Sequence, residues 1–418
     1  MASKSSFMPM LILGVLFFVF GFVTWLNGSL IPFLQHLCEL DAFEALFVTF
    51  AFYIAYTVMA FPMAFVLEKT GYKNAMALGL GVMAFGALIF IPAAFTREFL
   101  LFLVALFTLG TGLTILQTAS NPYIVFLGPK ESAARRISIM GILNKAAGVV
   151  APLVFTLLVV MEPQSGLAFD LQKKEELANA LIFPYMLMAG LLLLLMLLVI
   201  FSKLPELEFS KDSEEGKSIF AFPQLILGAV ALFFYVGAEV IAGDTIGLYG
   251  QSLGVLNATV LTSYTMAFMV LGYIVGLFFI PKYLSQERAL LLSAFFGIVL
   301  VFAIVFGSQT QSDIWLFILG WSTFVPLPNT LFFVALLGFA NALVWPTIWP
   351  LALDGLQKYT AKGSALLIMA IAGGAILPLV FGKITQITQN MQLSYLFLLI
   401  SYLFILLYAL KWHKKRSW

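Results

Sequence analysis

The sequence predicts an all-α polytopic membrane protein of twelve transmembrane helices in two six-helix halves, and three observations carry that prediction. Of 418 residues, 62% are hydrophobic and 10% charged, more apolar surface than a water-soluble fold of this length can hide. Twelve apolar stretches reach the roughly 20 residues needed to cross a bilayer. A pattern of proline, polar loop and glycine-rich span ending in PLVF occurs twice, with Pro152 in one copy and Pro378 in the other, 226 residues apart.

The twelve stretches run 8–34, 43–67, 74–95, 98–127, 137–161, 180–202, 220–250, 257–280, 287–307, 329–354, 361–385 and 392–410. The first is too long for a signal-peptide core and lacks a small-residue cleavage site, so it reads as a retained span. Of 22 lysines and arginines, 17 fall on one side of this layout, and Arg97, Lys173 and Lys174 on the other. Positive loops stay cytoplasmic, so both termini are expected there, in a multi-pass protein of a bacterial inner (plasma) membrane. One cysteine, Cys38, rules out an internal disulfide and a thiolate metal cage.

Between helices 2 and 3 lies AFVLEKTGYK (Ala64 to Lys73). An acid and a base followed by glycine and a further base, here Glu68, Lys69, Gly71 and Lys73, resemble the loop signature of the major facilitators. Glu68, Lys69 and Lys73 read as a gate: the acid can cap a helix N-terminus or pair with a base when one side is shut. The corresponding stretch of the second half, FFIPKYLSQER, has no acid in that place.

The repeat spans Pro122 to Phe155 and Pro346 to Phe381. Its offset is the one expected if helices 1 to 6 are duplicated as 7 to 12, with substrate between the halves near mid-membrane. The charged run KLPELEFSKDSEEGKS divides the chain into residues 1–202, a cytoplasmic linker 203–219 and residues 220–418. Beyond helix 9, residues 308–328 contain IWLFILGW, too short to span. That stretch is expected to be interfacial or re-entrant, with Trp315 and Trp321 at headgroup level, or else a lid.

Helix 7 carries the main functional signal, FFYVGAEVIAGDTIGL (Phe233 to Leu248). Glu239 and Asp244 alone among 20 acidic residues fall well inside an apolar span. A deep charge costs about 2.5–3.5 kcal/mol on insertion scales, so such residues mark ion or substrate paths; the competing reading is a structural pair buried against a base. Lys145 on helix 5 is the deep ammonium that could pair with either acid, and cation entry would break the pair. Five residues separate the acids, about 140° on a helix, so they share a site only if the backbone unwinds near Gly243. Asn27, Gln117, Asn121 and Asn144 offer amides to hydroxyl groups, and Trp25, Trp345 and Trp349 offer flat faces to a sugar ring. A membrane asparagine can equally be glue between helices, and Asn121 can satisfy backbone freed by Pro122. Tyr235 and Tyr249 are weaker candidates. His36 and His413 fall in an outer loop and the tail and do not read as proton relays.

Three segments, FGFVTWLNGSLIPFLQ (Phe20 to Gln35), LQTASNPYIVFLGP (Leu116 to Pro129) and FYVGAEV (Phe234 to Val240), resemble the fucose and proton symporter family of the major facilitators, which includes glucose and galactose transporters. The resemblance extends over nearly the whole chain. It implies secondary active transport, a cation-coupled symport of a neutral hexose such as glucose, galactose or fucose by alternating access. In that family an acid falls at the position of Gly28, an asparagine at that of Trp25 and an acid at that of Gln117, so this chain lacks both family carboxylates. Asn27 and Asn144 match.

The coupling cation is expected to be H+ or Na+ with no other cofactor; Asp244 and Glu239 form a metal site only if sodium is that cation. Expected partners are a small-molecule sugar and the lipid bilayer, with no nucleic acid, and the protein is expected to be a monomer. A sugar uniporter without coupling and a non-transporting sugar sensor are the alternatives. An enzyme is not expected, since no metal-spaced His or Cys, surface pair of acids or phosphate-cradling loop appears.

Overall fold

A computed structural model describes residues 7–127, 133–159, 171–205, 218–280, 282–321, 326–356 and 359–418. The core of the linker, 206–217, and Lys4, Lys130, Lys211, Lys217 and Lys358 lie outside the described residues. Among the described residues the regular structure is wholly helical. Among these residues eleven helices are long and apolar enough to cross a membrane, and the shorter apolar helix Ala42–Val58 sits where span 2 is expected.

Helix 1 comprises Phe7–Trp25 and Asn27–Leu37, broken at Leu26. Helix 2 opens with the turn Ala42–Ala45 and continues as Phe47–Val58. Asp41 starts it through a capping box with Glu44, the two residues exchanging bonds of 2.7 and 2.8 Å. The end of helix 2 and all of helix 3 form Ala60–Thr96, which turns at Gly71. With φ 77° and ψ 167°, Gly71 occupies a region essentially closed to other residues. The loop signature therefore contains the glycine that makes the turn.

Helix 4 is Phe99–Phe126, helix 5 Ala133–Val159 and helix 6 Ile182–Phe201. Helix 7 runs Pro223–Asp244, breaks at Thr245 and resumes as Ile246–Ser252. Helix 8 is Leu261–Phe279 and helix 9 Gln286–Phe306. Helix 10 comprises Asn329–Ala342 and Val344–Leu353. Helix 11 comprises Thr360–Met369 and Gly373–Thr388, joined by the tighter turn Ala370–Ala372; Leu398–Leu410 forms most of helix 12. Helices 1 and 7, first in their sets of six, are both locally interrupted in mid-course, at residues that stay in the right-handed helical region, and transporters tend to place their sites at such interruptions.

The first six helices meet the last six where helix 2 packs on helix 11, helix 5 on helix 8, and the second part of helix 1 on helices 7 and 8. Trp418 Nε1 donates to Phe220 O at 2.7 Å, and Lys73 Nζ donates to Ser202 O at 2.7 Å. These bonds tie the tail to the start of helix 7 and the turn after helix 2 to the end of helix 6. The face they mark, which carries the start of helix 1 and the C-terminal tail, is the terminal face; the opposite one is the distal face.

Two expectations need correction. Trp315, expected at headgroup level, is 1% exposed on the short helix Asp313–Leu319, edge-on to Tyr264 and Phe332 at 5.3 and 6.0 Å. Its ring is packed among other aromatic rings inside the protein, while Trp321 stays 84% exposed. His36 is not in a loop: it sits on the last turn of helix 1 and hydrogen-bonds Gln251 across the two sets.

Gly71→Ala is expected to lower stability in detergent by about 1–3 kcal/mol, because the backbone there excludes a Cβ-bearing residue. Gly190→Ala, where an added methyl meets nothing within 4 Å, is expected to leave the melting temperature unchanged; thermal denaturation followed by intrinsic fluorescence checks both.

Candidate functional site

Helix 7 is buried throughout from Tyr235 to Gly250, so each polar side chain there must find a partner in protein. Glu239 finds one across the two sets: its Oε1 lies 2.5 Å from Lys145 Nζ of helix 5. The same ammonium stands over the ring of Trp25 at 4.4 Å from the centroid, an attraction of about 2 kcal/mol in a desolvated setting. Trp25 fits there because glycine faces it on both sides. A Cβ on Gly148 would come within 2.7 Å of its ring, and one on Gly243 within 2.6 Å.

Asp244 faces elsewhere. The helix stays regular through Asp244 and breaks one residue later, at Thr245, so the two acids do not converge by unwinding at Gly243. Their angular separation takes Glu239 to helix 5 and Asp244 to helix 2, where Asp244 Oδ2 accepts from Thr49 Oγ1 at 3.0 Å. Asp244 is completely buried.

Two chains of contact lead away from the acids. Tyr235, one turn before Glu239 on the same helix face, lies 6.4 Å from Trp345, which stacks on Trp349 at 5.1 Å and 29°. On the other side Tyr53, one turn beyond Thr49 on helix 2, stacks with Tyr56 at 6.3 Å. Tyr56 OH accepts from Gln117 Nε2 at 2.9 Å. Asn144, beside Lys145 in the chain, donates to Phe17 O of helix 1 at 3.4 Å. Trp25, Lys145, Glu239, Asp244, Trp345, Trp349 and Gln117 are thus linked through helix 7 and helix 2. Asn27 is buried, and its Nδ2, like Trp25 Nε1 and Asp244 Oδ1, has no hydrogen-bond partner among the described residues. Asn121 is half-buried on helix 4.

Tyr249 belongs to packing, not to the cluster, since its hydroxyl meets Thr330 Oγ1 at 3.1 Å. His413 is buried in the tail, with Nε2 3.2 Å from Glu287 Oε1. Lys383 is exposed and bonds Gln386 at 2.7 Å, and Asp354 pairs with Arg416 at 2.6 Å. Of the gate residues, Lys73 serves the contact with helix 6, Lys69 lies over Phe65 at 4.2 Å, and Glu68 is exposed. A basin of about 1100 Å³ opens at the distal face, lined by Gln35, Gln251 and Gln386 among others; it lies beyond the acids rather than between them.

Sequence reasoning missed Thr49, Tyr53 and Tyr56. The signal was present: in FVTFAFYIAY the three hydroxyl-bearing residues recur at spacings of four and three, which places them on one helix face. It also missed Asn341 of helix 10, completely buried and accepting from Tyr402 OH at 3.0 Å.

Further contacts between the sets lie from the acids toward the distal face. Ser29 Oγ donates to Thr259 O at 2.6 Å, Ser263 Oγ to Val149 O at 2.7 Å, and the hydroxyls of Thr156 and Thr259 meet at 2.8 Å.

Membrane-spanning helices in two sets, bridged at mid-depth by a buried ion pair beside amides and tryptophans, define a membrane transporter rather than an enzyme. The chain belongs to the Major Facilitator Superfamily, whose family profile matches residues 13–378. It is 34% identical over 407 residues to a glucose/galactose transporter of Brucella abortus, covering 95% of this chain and 92% of that protein. It is 26% identical over 428 residues to the L-fucose-proton symporter of Escherichia coli, covering 97% and 93%. Among solved structures it matches the transporter FucP in the outward conformation with a TM-score of 0.75 at 24% identity, over 99% of this chain and 100% of that one, a likeness of fold.

Lys145→Met is expected to destabilise the protein by about 3–5 kcal/mol, since it leaves Glu239 buried without a counter-charge. The double variant Lys145→Met/Glu239→Gln is expected to recover most of that loss, as read by thermal unfolding in detergent.

Proposed function

We propose that the protein is a cation-coupled hexose symporter, taking up a neutral sugar such as glucose, galactose or fucose together with H+ or Na+ by alternating access. The observation that carries this reading is the Lys145–Glu239 pair. It joins the two sets of helices at mid-depth, where charge is costly and so marks an ion or substrate path, and it lies in one connected cluster with the amide and indole groups a sugar requires. The Brucella abortus relative is named for glucose and galactose, the Escherichia coli relative for fucose and protons.

In this reading residues 1–202 and 220–418 are the moving halves, joined by the linker 203–219, and the chain works as a monomer. Both termini lie in the cytoplasm, so the terminal face is cytoplasmic and the distal face external. Ser29, His36, Thr156 and Ser263 bond between halves on the external side, which corresponds to a state shut to the outside. Glu68, Lys69 and Lys73 act as the gate at the cytoplasmic face. Trp25, Asn27, Gln117, Asn121, Asn144, Trp345 and Trp349 receive the sugar. The cation is handled within the cluster that Glu239, Asp244 and Lys145 form.

The decisive measurement is uptake of labelled hexoses by proteoliposomes under separately imposed sodium and pH gradients. Accumulation above equilibrium under one gradient is expected; plain equilibration under both would overturn coupling. Gln117→Leu is expected to raise the half-saturating sugar concentration by at least about tenfold, because a sugar hydroxyl loses its amide partner in a dry site. An unchanged value removes Gln117 from the sugar site.

A further inference from the structure

The charges of the buried cluster do not balance. Two acids and one ammonium lie buried at mid-depth, and Lys145 is committed to Glu239 at 2.5 Å and to the ring of Trp25. Asp244 is completely buried, receives one hydroxyl through Oδ2, and has no partner for Oδ1 among the described residues.

The groups around Asp244 can be taken element by element. Helix 2 presents the Thr49 hydroxyl and Tyr53. Helix 7 itself contributes Glu239, of the same sign as Asp244. Helix 1 brings Trp25 against Gly243, and helix 8 brings Thr262 and Thr265, whose hydroxyls donate to Gly243 O at 2.8 Å and Ala242 O at 3.3 Å. At the break, the Thr245 hydroxyl is already used, donating to Ile241 O at 2.6 Å and meeting Tyr395 OH at 3.0 Å. The other buried lysine or arginine among the described residues, Arg136, has its Nε on Ile124 O. No group of three or more His, Cys, Asp or Glu residues that could hold a metal ion occurs among the described residues, which argues against a divalent ion held by several carboxylates.

We propose that Asp244 is where the transported monovalent cation binds, while Lys145 and Glu239 form a standing pair that is not exchanged during the cycle. This rests on the symport reading and narrows it: of the two deep acids only Asp244 lacks a resident cation, and a bare carboxylate at that depth is costly. A proton satisfies it by converting the carboxylate to a neutral acid, and a sodium ion by binding its oxygens with the Thr49 hydroxyl as a further ligand. Thr49 belongs to the first set of helices and Asp244 to the last. Loading the carboxyl therefore changes a bond that crosses between them, which couples ion occupancy to their relative position.

The test uses the full chain in proteoliposomes with labelled glucose and galactose. Wild-type accumulation under neither gradient would sink the symport reading itself. With the wild type accumulating, Asp244→Asn is expected to bring the accumulation ratio down to about one while sugar counterflow persists, because an uncoupled carrier only equilibrates. An Asp244→Asn protein that still concentrates sugar overturns the assignment.

Should Asp244→Asn fail to fold, Thr49→Val decides. Loss of a hydroxyl that donates to a charged carboxylate is expected to shift the half-saturating cation concentration by about tenfold. The shift goes toward tighter binding if the cation is a proton, since the empty carboxylate loses its stabilising donor, and toward weaker binding if it is sodium, which loses a ligand. An unchanged half-saturation overturns the proposal.

Discussion

An ammonium surrounded by hydrocarbon must be neutralised or paired, and in this protein the partner lies on the other set of helices. Lys145 of helix 5 and Glu239 of helix 7 approach to 2.5 Å, both less than one-tenth exposed. Neither charge is tolerable alone at that depth, so the contact constrains how the first six helices can sit against the last six. Trp25 reinforces it, its ring face meeting the ammonium and its flanks fitting against two glycines. The arrangement of the cluster follows from this contact: Tyr235 and the paired indoles of helix 10 on one side, and the helix 2 hydroxyls with Gln117 on the other.

Around that contact the fold relaxes its own regularity. Helices 1 and 7 break at Leu26 and Thr245, close to the groups they present to one another. A broken helix in a membrane is tolerated only where neighbours satisfy the freed backbone. Here Thr262 and Thr265 of helix 8 donate to carbonyls of helix 7 just before its break. The same threonines and the glycines of helices 1 and 7 let three helices pass close together. Close approach of polar groups and an interruption of the helical ladder therefore coincide here, as they do at transporter sites.

Much of this was legible in the chain. Apolar length located the spans to within a few residues, because bilayer thickness sets a scale that tertiary context cannot override. The helix 2–3 signature located a real turn, since the conformation at Gly71 is open to glycine and almost nothing else. Glu239, Asp244 and Lys145 stood out because charge in an apolar run is rare. Thr49, Tyr53 and Tyr56 were hidden for the opposite reason. Threonine and tyrosine are ordinary residues of membrane helices, and their polarity matters only once a neighbour is known. Trp315 misled because an indole near a span end suits an interface and an aromatic core equally well.

Composition and spacing alone determined that the chain crosses the membrane many times, that its halves repeat, and that helix 7 carries charge where charge is costly. Those properties follow from the bilayer, a solvent that acts on each segment separately. Only the tertiary structure decided which acid the lysine takes and which it leaves. That choice depends on the direction each side chain leaves helix 7 and on what stands opposite: Lys145 of helix 5 for Glu239, Thr49 of helix 2 for Asp244. Pairing between residues 94 and 195 positions apart leaves no local trace in sequence, because it is created by helix packing.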